Sequence, residues 1–168
     1  MTMPPRLRKA ALTTHVVCSV GWLGAVAGSA ALAIAALATD DEQTMRGIYL
    51  ALDVTGWFAL VPLSLASLAT GLMQGLGTKW GLFRYWWVVV KLIITVVAVV
   101  VLLMYTQTLG ALADLARGAS AASGEGETLP SASPVLHAAV ALLLLLVTTT
   151  LAVFKPPGLT AYGRRRRL

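Results

Sequence analysis

Four long apolar runs, Ala11–Ala38, Ile48–Leu76, Trp86–Leu109 and Pro134–Phe154, constrain this chain more than any other feature. Each reaches or exceeds the ~20 residues that a helix needs to cross a hydrocarbon core of roughly 30 Å. Inside lipid no water can pair a backbone N–H or C=O, so spans of this kind must be helical. The composition agrees: 58% of the 168 residues are hydrophobic and 12% are charged, too few charges to cover a compact soluble domain. The expected fold is an all-α membrane protein, a four-transmembrane-helix bundle running up-down-up-down. A basic segment (1–10) precedes the transmembrane domain (11–154), and a polybasic tail (155–168) follows it.

The charges orient the spans. Arg6, Arg8 and Lys9 precede the first span, Lys79 and Arg84 separate the second from the third, and Lys155 with Arg164, Arg165, Arg166 and Arg167 follows the fourth. The other two connections carry Asp40, Asp41, Glu42, Asp114, Glu125 and Glu127, with Arg46 and Arg117 as their basic residues. Positive-inside bias therefore predicts that both termini and the middle connection are cytoplasmic, with Thr39–Gly47 and Gly118–Ser133 outside. The net charge of +6 is then a topology signal and not a nucleic-acid footprint. Its terminal arginines suit anionic lipid headgroups. The arginine and alanine bias is compatible with a GC-rich bacterial source, so the expected location is a bacterial plasma membrane.

The segment before the third span, GTKWGLFRYWWVVVKL, gathers aromatics where a helix enters the bilayer. Trp80, Phe83, Tyr85, Trp86 and Trp87 read as an interfacial girdle. Lys91 lies roughly 7 Å of helical rise inside the span, within reach of the interface for a snorkelling stem. The N-terminal apolar run is too long for a signal peptide, so an uncleaved span is expected. His15 stands three residues before Cys18, where a lipid-attachment site wants an aliphatic residue. A single cysteine also excludes an internal disulfide.

Gly24-x-x-x-Gly28 and Gly71-x-x-x-Gly75 read as close-packing faces within the bundle, or alternatively as a homodimer face. Pro62 should kink the second span. Ionisable and polar residues inside a span are functional candidates by default, and here they form two tiers. His15, Cys18 and Lys91 fall in the cytoplasmic half; Asp53, Tyr105 and His137 fall in the outer half. The two histidines are about 20 Å apart along the axis at helical rise, too far for one haem iron. His15-x-x-Cys18 supplies two possible ligands where a metal site wants three or four, and so reads first as packing residues. Asp53 and His137, at similar depth, are expected to pair with Tyr105 nearby.

The stretches LTTHVVCSVGWLGAVAG, WFALVPLSLASLATGLMQGLGTKWGLFRYWWVVVKL and FKPPGLTAYGRR resemble an actinobacterial family of predicted four-span integral membrane proteins of unknown function. The resemblance implies the same topology and no particular activity. His15 ahead of Trp22-Leu23-Gly24, with a Thr-Gly turn ahead of an intramembrane lysine, is more weakly similar to copper-resistance D-type membrane proteins. No nucleophile elbow, zinc-hydrolase pair or phosphate loop occurs in the sequence. The expectation is a non-enzymatic accessory or small-solute-handling bundle without catalytic residues, metal or cofactor. The alternative is a redox or ligand-binding membrane protein carrying haem, quinone or copper.

Overall fold

The computed structural model describes residues 3–77, 81–118 and 129–165. Lys79, Trp80, Glu125, Glu127, Arg166 and Arg167 lie outside these, as does most of the Gly118–Ser133 connection. Helix α1 runs Pro5–Ala38, α2 Glu42–Thr55, α3 Val61–Gly77, α4 Trp86–Ala116, α5 Ser133–Phe154 and α6 Ala161–Arg165. A π-helical turn, Gly56–Leu60, joins α2 to α3 without a break, so Glu42–Gly77 is one long rod. Four helices are long and apolar enough to cross a membrane, which makes this a multi-pass membrane protein. Among the described residues there is no strand, only an isolated antiparallel bridge between Tyr85 and Leu159.

The helices outrun the apolar runs because capping and packing continue past the hydrophobic residues. Asp41 accepts a hydrogen bond from the Thr44 backbone N–H at 2.9 Å, satisfying one of the unpaired donors at the start of α2. The connection expected over Thr39–Gly47 therefore shrinks to Thr39–Asp41, with Glu42–Gly47 helical. At the far end of α4, Leu112, Ala113 and Ala116 are buried, so that helix continues beyond Leu109.

The four spans form a ring. Helix α1 packs against the second span and α5, and α4 packs against the same two, while the diagonal pairs make no close backbone contact. On α1 the inward face is Trp22, Val26, Ser29, Ala33 and Ala36, a four-three spacing that keeps side chains on one side of a helix. One core cluster joins Ala33, Ala36, Tyr49, Leu52, Leu109, Leu112 and Ala116. A second joins Trp22, Val26, Leu60, Val99, Ala138 and Leu145. Around them large apolar side chains face outward, including Phe58 at 82% and Phe154 at 78% exposure, the pattern expected where lipid is the solvent.

One packing expectation is corrected, that Gly24 and Gly28 pack within the bundle. Gly24 and Gly28 are exposed, and nothing lies within 4 Å of where their Cβ atoms would stand; they fall off the Trp22–Val26–Ser29 face and pack nothing in the bundle. Pro62 is preceded by the π turn, in which the Val61 N–H donates to the Gly56 carbonyl. A proline ring crowds the carbonyl four residues back and offers it no donor. The wider turn is one of the recognised ways a helix absorbs that conflict.

Candidate functional site

The bundle has a basic end, where the N-terminus, the α3–α4 connection and the end of α5 meet, and an acidic end opposite. Near the basic end a cavity of about 140 Å³ is lined by His15 of α1, Ser67, Gly71 and Gln74 of α3, and Trp87, Lys91 and Thr95 of α4. Trp87, Lys91 and Thr95 recur every four residues, so one stripe of α4 supplies them. His15 and Lys91 come from diagonal helices and meet only through this space.

Its geometry fixes the state of the neutral His15 ring. Nδ1 lies 3.1 Å from the Ser67 carbonyl and 3.0 Å from the Thr70 hydroxyl. The Thr70 hydroxyl donates to the Ala66 carbonyl at 2.6 Å. Since a carbonyl can only accept, Nδ1 carries the proton and Nε2 the open lone pair. Gly71 makes room for the ring: a Cβ there would stand 3.3 Å from the imidazole. Ser19 and Ser67 hydroxyls pair at 2.8 Å, and the Gln74 amide donates to the Ala11 carbonyl at 3.2 Å. Lys91 has no ion pair or hydrogen bond among the described residues. No Asp or Glu lines the cavity.

Cys18 is partly exposed and free and lines neither this cavity nor the one described next. His15 and Cys18 are thus near in sequence but not joined in one site. The expected girdle is divided as well. Phe83 and Trp86 are exposed, whereas Trp87 turns to the cavity wall and Tyr85 bridges to Leu159.

Toward the acidic end lies a larger cavity of about 380 Å³, touched by all four spans and almost wholly apolar. The Tyr105 and His137 rings stack at its edge, their centroids 3.7 Å apart and planes 14° from parallel. His137 Nδ1 donates to the Ser133 carbonyl at 3.0 Å, and the Tyr105 and Ser133 hydroxyls are 3.2 Å apart. Tyr105 is therefore beside His137 as expected, but Asp53 is not its partner. The Asp53 carboxylate forms its ion pair with Arg117, at 3.8 Å. Similar depth brought the two residues to the same end of the bundle, and their azimuths on separate helices gave them different neighbours.

Sequence reasoning also missed a docked C-terminus. Thr160 donates its hydroxyl to the Phe83 carbonyl at 2.5 Å and its backbone N–H to the Arg84 carbonyl at 3.1 Å. The same hydroxyl accepts from the Gly163 N–H at 3.0 Å, capping α6. Thr160-Ala-Tyr-Gly163, a cap residue followed by a short helical turn, signals α6 itself but not its docking.

Compared with models of known protein families, with curated proteins and with solved structures, the chain finds no match.

Proposed function

We propose that this protein sits in a bacterial plasma membrane with both termini and the α3–α4 connection cytoplasmic, and holds a small anionic solute in the cavity at its basic end without enzymatic turnover. Membership of the four-span actinobacterial family that its sequence resembles is part of the same proposal. One observation carries the choice of an anion: Lys91 lines a cavity that offers it no carboxylate. A half-buried ammonium lacking a counter-charge is costly, and an anion in the cavity supplies one. The Thr95 side chain adds a hydroxyl donor on the same stripe of α4. The cavity's size favours a compact anion over an organic one.

The test is thermal unfolding of the purified protein in nitrate, chloride and gluconate at equal ionic strength. Binding to the folded state alone raises the midpoint with ligand concentration. Nitrate or chloride is expected to raise it above gluconate, and Lys91→Gln to remove the difference while Lys91→Arg retains part of it. A midpoint indifferent to the anion, or an anion effect that survives in Lys91→Gln, would rule the reading out.

A further inference from the structure

The larger cavity belongs to no part of that proposal. Its volume, about 380 Å³, lies in the roughly 300–1,000 Å³ range of small-molecule sites. Its walls are nearly all aliphatic, contributed by residues such as Leu60, Leu102, Ala141 and Leu145. Such a space excludes ions and stays dry unless an apolar molecule fills it.

Beyond the Tyr105 and His137 pair at its edge, one wall residue breaks the apolar pattern. Ser29 of α1 lines the cavity at 8% exposure, and its hydroxyl has no hydrogen-bond partner. Every other buried hydroxyl among the described residues is paired. Ser64 bonds to the Val61 carbonyl, Ser67 to Ser19, Thr106 to the Leu103 carbonyl, Thr148 to the Leu145 carbonyl and Thr160 to the Phe83 carbonyl. A serine on a helix can return its proton to a carbonyl three or four residues back, as Ser64 does here. Ser29 does not, so its hydrogen-bonding capacity is left over beside an apolar void.

The way in is also visible. Val97 and Val101 of α4 and Leu136 and Val140 of α5 line the cavity and are 51%, 45%, 64% and 58% exposed on the outer surface. These four residues mark a lateral mouth between α4 and α5, facing the lipid of a membrane-embedded bundle. A molecule dissolved in the bilayer reaches the cavity there without crossing water.

We propose that this cavity binds an uncharged lipophilic molecule carrying one hydrogen-bonding oxygen, which enters from the bilayer between α4 and α5 and pairs that oxygen with Ser29. Chain and ring bodies both satisfy the apolar walls; the oxygen is what Ser29 selects. A charged headgroup has no place inside, because no ionisable side chain other than His137 and Tyr105, at the edge, lines the space.

Thymol and p-cymene, which differ by one hydroxyl, are matched probes. Equilibrium dialysis of the whole protein in detergent, with empty micelles subtracted, should show saturable thymol binding about tenfold tighter than p-cymene, the ratio expected of one hydrogen bond. Ser29→Ala should bring thymol down to the p-cymene level and leave p-cymene unchanged. Ala141→Leu, which fills the cavity, should remove both. Absence of saturable thymol binding, equal affinity for the two probes in the unmodified protein, or a thymol preference that persists in Ser29→Ala would overturn the proposal. Ser29→Ala changes one buried atom, so the result stands even if Ala141→Leu does not fold. Neither probe carries charge, and the outcome is independent of the anion experiment at the basic end.

Discussion

The guanidinium of Arg117, at the end of α4, lies between two carboxylates: Nη2 is 3.8 Å from Asp53 on α2, and Nη1 is 2.7 Å from Asp114 one turn back. Arg46 reaches across the same gap in the other direction, from α2 to the Ala116 carbonyl at 3.2 Å. The two arginines of the acidic end thus tie α2 and α4 together reciprocally.

This arrangement predicts which residues are coupled. Arg117 is half-exposed and its contact with Asp53 is long, so screening by solvent keeps the pair to about 0.5–1 kcal/mol. Asp53→Asn and Arg117→Gln should each lower unfolding stability by that order, and the double mutant should lose less than their sum. Asp53→Asn combined with His137→Gln should be additive. Coupling of Asp53 to His137, and none to Arg117, would contradict the geometry.

Gly163 predicts the fate of the C-terminus. A Cβ at this position would collide with the Arg84 backbone carbonyl oxygen, and a backbone atom cannot turn aside as a side chain can. Gly163→Ala should release α6 from the α3–α4 connection. Hydrogen exchange is the direct readout: protection should be lost at Thr160 and Gly163 and kept through α1 and α5. Unchanged protection at Thr160 would show that the docking tolerates the methyl group.

A pH dependence is expected at the start of α2. The Thr44 hydroxyl and then the Thr44 backbone N–H bond to the Asp41 carboxylate and hold its pKa below the ordinary value. A lowered folded pKa means that the cap contributes stability above the unfolded carboxyl pKa of about 3.9, and that this contribution is lost as pH falls through the folded value. Exchange at the Thr44 and Met45 amides, corrected for intrinsic rates, should accelerate below about pH 4. Asp41→Asn, which keeps an accepting oxygen, should flatten that response.

Orientation is tested by a single cysteine. With Cys18 replaced by serine, Gln43→Cys on the exposed first turn of α2 should react with a membrane-impermeant maleimide in intact cells. Reaction only after lysis would invert the topology.

The spans themselves were legible in the sequence, since lipid demands long apolar helices and the basic residues cluster on alternate connections. Depth was legible too, because helical rise converts residue number into height: His15 and Lys91 meet at one end, and Tyr105 and His137 at the other. Rotation about each helix axis was not. It decided that Asp53 meets Arg117, that Gly24 and Gly28 look outward, and that Ser29 borders the larger cavity. The Thr160–Arg84 contact was hidden for another reason, being a backbone pairing between segments that share no periodic pattern.

The π turn at Gly56–Leu60 has a bearing on how α3 is aimed. One residue advances an α-helix by roughly 100°, so a single extra residue in the turn works as a phase shift between the two halves of the rod. Asp53 and Tyr49 are set by the half before it; Ser67, Thr70 and Gly71 are set by the half after it. Deleting one residue from the turn would leave the acidic end in register and swing α3 about its axis. The shelf on which the His15 ring rests would then face away from α1, so the cavity beside Lys91 is timed by a feature two turns of helix and more away from it.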